Sequence, residues 1–179
     1  QAIAYASERI ICGSATAIVA GGTESMSLVP MGGNKIAPNP TLIDRYPDVY
    51  LSTGLVAENH AREAGISRAE QDAFALRSHQ RAIAAIEAGR FDDQLVPVEI
   101  PQRKGEPVVV ARDEHPRADT SLEALARLRP AFREGGSVTA GNSSGINDGA
   151  AAVVIASEEK ARALGIEQLG AFVGAAVAG

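Results

Sequence analysis

The sequence predicts an α/β fold, on three observations. An apolar helix leads directly into an apolar strand near the start of the chain. A continuous apolar run, Gly149-Ala-Ala-Ala-Val-Val-Ile-Ala156, is followed at once by a capped helix. Between them lies a long stretch rich in Gly and Pro that contains one strongly signalled helix of its own.

Gln1-Ala-Ile-Ala-Tyr-Ala-Ser-Glu-Arg-Ile-Ile-Cys12 reads as the opening helix, with Ile3, Ala6 and Ile10 at helical spacing and Gly13 as its C′ stop. Its nearly all-apolar composition predicts that it is buried, and no N-cap residue precedes it. Ala15 to Ala20 is expected to form a short strand broken at Gly21-Gly22. Residues 21–66 carry Gly21-Gly22, Gly32-Gly33, Pro30, Pro38, Pro40 and Pro47 with little periodicity, the pattern of an ordered, irregular excursion. Leu, Val, Met and Tyr among these breakers favour a functional loop over a flexible linker.

Ser67-Arg-Ala-Glu70 is a capping box that starts a helix at about Arg68; Ala69, Ala73, Leu76, Ile83 and Ile86 mark its apolar side and Gly89 ends it. Leu95 to Ile100 and Pro107 to Val110 read as a small hairpin, and Ser121 to Leu128 as a short helix ending before Pro130. The Gly149–Ala156 run predicts a strand buried on both faces, with Ser157 capping a helix that Gly165 closes. Leu169 to Val177 is expected to add a final strand, giving a βαβ-like ending. The uncapped start and the apolar end together suggest a fragment of a larger protein.

The chain has 179 residues, with 17 Lys and Arg against 22 Asp and Glu for a formal net charge of −5, which excludes nucleic-acid binding driven by bulk charge. No apolar run approaches the ~20 residues that cross a bilayer. Area scaling gives a compact fold of this size about 8,000 Å² of surface against about 27,000 Å² unfolded, enough for one core in one large domain or two small ones. The single cysteine, Cys12, excludes an internal disulfide, and as a neutral thiol in an Ile-Ile-Cys-Gly setting it is expected to be buried. His60, His79 and His115 lack metal-ligand spacing, so no metal site is expected. Nothing resembles an export signal, which makes the cytoplasm the expected location and leaves the glycosylation pattern Asn142-Ser143-Ser144 a formal match.

The densest chemical signal is Ser137 to Ala150, where small residues, amides and hydroxyls lead into a buried strand. From the residues alone it reads equally as a loop that lets a ligand approach the backbone or as a turn whose Asn and Asp satisfy their own backbone.

Ala20-Gly-Gly-Thr-Glu-Ser-Met-Ser27 and Ala140-Gly-Asn-Ser-Ser-Gly-Ile-Asn-Asp-Gly-Ala150 resemble the corresponding stretches of thiolases, the acyl-CoA acyltransferases that make or cleave 3-oxoacyl-CoA. Leu128-Arg-Pro-Ala-Phe132 and Gln71-Asp-Ala-Phe-Ala75 fit the same family, in order along the chain. Met31-Gly-Gly-Asn-Lys-Ile-Ala-Pro-Asn-Pro40 is closer to the degradative 3-ketoacyl-CoA (acetyl-CoA C-acyltransferase) type than to the biosynthetic acetoacetyl-CoA type.

The resemblance implies a thiolase fold of two five-layered α/β halves with an inserted loop domain. On that map residues 1–27 belong to the first half, 28–144 are the loop domain, 145–167 return to the first half, and 168–179 begin the second. It implies ping-pong acyl transfer through a cysteine thiolate, with a second cysteine, a Gly-His-Pro histidine and an Asn-Glu-Ala-Phe element. The thiolate is expected just before the position of Gln1 and the others after Gly179, so no catalytic residue is assigned within this chain. Coenzyme A is implied as a substrate, with no cofactor, and the whole protein as a homodimer or homotetramer.

What carries over is coenzyme A recognition. Ser144 matches a serine that contacts pantetheine, Ala140 the small residue beside it, Phe132 an aromatic tunnel wall, and Arg117 an arginine near the adenine and phosphates. Read without the resemblance, Arg117 is also a solvated charge and Phe132 also plain packing. Thr53 departs from the family, whose members usually carry methionine there near the acyl path, and this leaves acyl-chain preference open. A non-catalytic acyl-CoA or lipid-binding relative, a biosynthetic thiolase and a split subunit are the alternatives.

Overall fold

A computed structural model describes residues 1–177. The chain divides into two compact units. Gln1–Ile36 joins the chain from Ile146 onward in the first, and Ala37–Gly145 forms the second.

In the first unit, α1 (Ala2–Ile11) ends in a double hydrogen-bonded turn. Gly13 N–H donates to the Ile10 carbonyl and Ser14 N–H to Arg9, with Gly13 at φ +71° as that turn requires. β1 (Ala17–Glu24) pairs antiparallel with β4 (Gly149–Ala156), from Ala17 opposite Ala156 to Glu24 opposite Gly149. The strand therefore runs through Gly21-Gly22, where the sequence alone predicts its end. Glycine serves close approach here, since a Cβ on Gly21 would lie 2.9 Å from the Ala151 carbonyl oxygen. Ser157 N–H continues the ladder onto Thr16 O at 2.9 Å, and the Ser157 side chain accepts from Lys160 N–H to cap α6 (Glu158–Ala163).

Three burial expectations fail in this unit for one reason: a two-stranded sheet with one packed helix has too little material to cover its faces. Only Ala4, Ala6 and Ser7 of α1 are buried, while Tyr5 and Ile11 are exposed. β4 is exposed along most of its length, with Val154 73% accessible. Cys12, expected to be buried, is exposed at the C-cap of α1. Leu169 to Val177 forms no strand, and Leu169 is 99% accessible. A lone apolar strand needs a partner for its backbone groups, and none pairs with it among the described residues. The segment expected over 168–179 also reaches residues 178–179, which lie outside them.

The second unit orders much of the breaker-rich excursion as helix: α2 (Pro40–Arg45), a 3₁₀ turn at Pro47–Tyr50, and α3 (Thr53–Glu63). Asn39 caps α2 by accepting from Thr41 N–H at 2.9 Å. α4 (Arg68–Glu87) opens on the capping box, with Ser67 N–H donating to Glu70 at 2.8 Å, and closes at Gly89, φ +63°. Its covered side is rotated from the predicted one. Ala69 and Ala73 are exposed, whereas Arg68, Asp72, Leu76, His79, Ile83 and Ile86 are covered. An ion pair at Arg68 and Asp72 sets the first turns, a signal invisible to apolar periodicity.

The hairpin is shorter than its apolar runs, β2 (Val98–Ile100) against β3 (Val108–Val110), paired Val98 to Val110. α5 (Leu122–Ala126) is capped by Ser121, which accepts from Ala124 N–H at 3.1 Å. Leu125 and Val138 are 3% and 4% accessible, and Thr139 is fully buried. The chain exposes 14405 Å², against the about 8,000 Å² of a compact fold this size.

Candidate functional site

Gly54, Glu58 and Ala61 lie at helical spacing on α3 and are the buried residues of that helix. A carboxylate on such a face must be compensated, and residues 137–138 compensate it. Ser137 N–H donates to both Glu58 oxygens at 3.0 Å, and Val138 N–H donates to Oε1 at 2.8 Å. The Ser137 hydroxyl also donates to Glu58 at 3.3 Å while accepting from Gln71 Nε2 at 2.9 Å. Burial pushes the Glu58 pKa up, but the two backbone amides, the hydroxyl and the Arg133 charge outweigh it and hold the carboxyl below its ordinary range.

A second buried carboxylate sits on α4. Asp72 pairs with Arg68 at 2.8 and 3.0 Å, and Arg68 Nη2 donates onward to the Leu125 and Leu128 carbonyls at 2.6 and 3.0 Å. Asn142 Nδ2 donates to Asp72 at 2.9 Å and to the Ser137 carbonyl at 3.1 Å, and its Oδ1 accepts from Thr139 N–H at 2.7 Å. The Thr139 hydroxyl accepts from Gly141 and Asn142 N–H at 3.2 and 3.3 Å, and Ser143 Oγ donates to the Thr139 carbonyl at 2.6 Å. Gly141 leaves room for two leucines, since a Cβ there would lie 2.4 Å from Leu128 Cδ1 and displace it. The hydrogen bonds support the second of the two readings of this loop: the asparagine and threonine satisfy its own backbone.

On that turn Ala140 and Ser144 are exposed. Phe132 is 43% accessible, and its ring presses on Gly54, where a Cβ would be 2.3 Å from the ring. Thr53 adjoins this contact in the chain. Arg117 is exposed, and its N–H donates to His79 Nδ1 at 3.2 Å. No hydrogen bond among the described residues joins any of these four candidates to another. Taken one by one these residues offer a hydroxyl, a methyl, an aromatic ring and a cation, and among them no group is aligned as nucleophile and base. In the first unit, Asp148 accepts from Ser27 N–H at 2.8 Å and from the Ser27 hydroxyl, which hold its carboxyl below the ordinary range.

The sequence reading missed Glu58, Gly54 and the role of Asp72. A small-acid-small pattern at i, i+4 and i+7 was the available signal for the first two, and Arg68 at i−4 for the third.

Residues 1–159 match the family described as thiolase, N-terminal domain. The chain belongs to the thiolase family. It is 49% identical over 193 residues to an acetyl-CoA acetyltransferase of Pseudomonas aeruginosa, covering all of this chain and 49% of that protein. It is 47% identical over 189 residues to a 3-ketoacyl-CoA thiolase of Bacillus subtilis, covering all of this chain and 48% of the relative. Among solved structures, the Bacillus anthracis acetyl-CoA acetyltransferase superposes with a TM-score of 0.76 at 44% identity, over 93% of this chain and 45% of that one. Human mitochondrial 3-ketoacyl-CoA thiolase superposes with the same TM-score at 38% identity, again over 93% and 45%. The α/β thiolase fold is thus established for a chain that spans about half the length of the thiolases it matches.

Proposed function

We propose that this thiolase chain supplies the coenzyme A-binding part of an enzyme that cleaves 3-oxoacyl-CoA by thiolysis in cytoplasmic fatty-acid β-oxidation. The observation that supports this reading is the buried Glu58–Asp72–Asn142 lattice, which holds the Ala140–Ser144 turn in one conformation before any ligand arrives. Preorganisation of this kind removes an ordering cost from binding. Pantetheine alternates amides with alkyl segments. Ser144 meets an amide, Ala140 leaves the chain room, Phe132 covers an alkyl segment, and Arg117 faces the phosphates.

The thiolate that carries the acyl group, and the groups that move its proton, come from outside this chain. The whole enzyme acts as a homodimer or homotetramer, and coenzyme A is a substrate in a reaction using no metal or prosthetic group.

In the whole enzyme Ser144→Ala raises the KM for coenzyme A about threefold to tenfold with a smaller change in kcat, because a neutral hydrogen bond made alike in ground and transition states is uniform binding. Steady-state kinetics measure it. An unchanged KM with a hundredfold loss of kcat would assign Ser144 to the chemistry and overturn the reading.

A further inference from the structure

The connection from Ala111 to Thr120 contains neither helix nor strand. It contains a turn at Ala118-Asp119, and among the described residues no backbone–backbone hydrogen bond ties it to another element. One hydrogen bond holds it, from Arg117 N–H to His79 Nδ1 at 3.2 Å. One ring contact accompanies it, with His115 stacked on His79 at 6.1 Å between centroids and 27° between planes. Pro116 lies between the two contact points and fixes its own φ, so the anchor reaches Arg117 through a stiff link.

His79 itself is well placed to act as an anchor. It lies in the middle of the 20-residue α4, is partly buried, and belongs to the helix that Asp72 ties to the 137–143 turn. A backbone N–H can only donate, so Nδ1 presents its lone pair and the ring proton resides on Nε2. The exposed Arg117 side chain is thus carried on a segment whose one polar fastening is a histidine that the coenzyme A reading does not use.

We propose that His79 is a positioning residue for Arg117, fixing the segment from which the guanidinium meets the nucleotide end of coenzyme A. The proposal rests on the coenzyme A reading of Arg117. Without the fastening the guanidinium would sample many positions, and binding would have to order it. The turn that carries Ser144 is tied to the same helix through Asp72, two turns before His79, and that bond does not use the imidazole, so the pantetheine contacts of Ser144 should be untouched.

The test compares four forms of the whole enzyme, wild type, Arg117→Ala, His79→Leu and His79→Asn, with coenzyme A and with pantetheine as acyl acceptors. Pantetheine has the thiol arm without the nucleotide. His79→Leu keeps bulk but removes the acceptor, and should raise the KM for coenzyme A about threefold to tenfold at nearly constant kcat. It should leave kcat/KM for pantetheine unchanged. Asn places an oxygen near the Nδ1 position, so His79→Asn should recover most of the affinity. Arg117→Ala should reproduce the same selective loss.

If Arg117→Ala shows the selective loss and His79→Leu does not, the positioning role is overturned while the reading of Arg117 stands. If Arg117→Ala leaves the KM for coenzyme A unchanged, both fall. Equal losses with both acceptors in His79→Leu, unrelieved in His79→Asn, would show a general packing role and also overturn the proposal.

Discussion

The two units of this chain hold their shapes by different means. In Ala37–Gly145, residues far apart in sequence are joined by charge-assisted hydrogen bonds, and among the described residues no buried side-chain polar atom of the 137–143 turn lacks a partner. In the first unit the order comes from one antiparallel pair and one helix. Large apolar side chains such as Tyr5, Ile11 and Val154 stand exposed, and the Ser7 hydroxyl is buried without a hydrogen bond among the described residues. A polar lattice is complete within its own residues. An apolar face becomes stabilising only when something covers it. The lesson is that the candidate binding turn does not depend on the same kind of cover as the sheet does.

The widest separation between the units is expected in the 179-residue chain taken alone. It should show no thiolase turnover with acetoacetyl-CoA and coenzyme A, and it should associate through its uncovered apolar faces. Size-exclusion chromatography and the standard assay test both. A sharp monomer with one cooperative melt, or turnover abolished by Cys12→Ser, would erase the distinction.

Next in size is Glu58→Ala, which strands the part-buried Ser137 amide and the buried Val138 amide and should cost about 2–6 kcal/mol, each unpaired donor losing roughly 1–3. Hydrogen exchange at those two amides should accelerate while the β1–β4 amides are unaffected. Comparison with Glu58→Gln gives the pH dependence. Because the folded pKa of Glu58 is lowered, the unfolded state binds more protons over that range. The advantage of glutamate is therefore full above the ordinary carboxylate range and is lost as pH falls through the lowered folded value. Denaturant melts of the whole enzyme as a function of pH would show the parent and Glu58→Gln converging in acid.

Gly54→Ala is a smaller, two-sided effect. Alanine favours a helix by about 1 kcal/mol over glycine, but its Cβ would meet the Phe132 ring at 2.3 Å, and overpacking costs about 1–3 kcal/mol. The variant should be less stable than the parent, and Gly54→Ala with Phe132→Ala should recover part of the loss. A double-mutant cycle that adds without coupling would show that the ring is not seated on the helix. The least effect is expected from Ser27→Ala. Its partner Asp148 is fully open to solvent, so thermal melts at neutral and acid pH should scarcely change.

What could be read from the sequence were the features encoded within a few residues. The Ser67–Glu70 box, the Gly13, Gly89 and Gly165 stops and the serine caps are local chemistry and emerge where the residues put them. Glu58 and Val138 are 80 positions apart, and a lone glutamate in a helix, followed by Asn59 and His60, looks like part of a solvated face. Nothing near Glu58 in sequence announces two amides waiting for it. Gly21-Gly22 misled for the converse reason, since glycine ends strands by conformation but here admits a neighbouring carbonyl. The candidate residues Ser144, Ala140, Phe132 and Arg117 came from family likeness, and the scaffold that holds their segments came only from the fold.

The β1–β4 pair has a further consequence, for the order of folding. Thr23 bonds Gly149 across 126 positions, so from a fully flexible chain this contact must close a loop at an entropic cost of about 4 kcal/mol. Ordering residues 37–145 first leaves only two short tethers flexible, 25–36 and 146–148. We therefore expect the polar-locked unit to fold early and the sheet to close late. Pulse-labelling hydrogen exchange would show protection at Ser137 and Val138 before protection along Ala17–Glu24. On this order of events, the middle of the chain acts as the splint on which its two outer segments find each other.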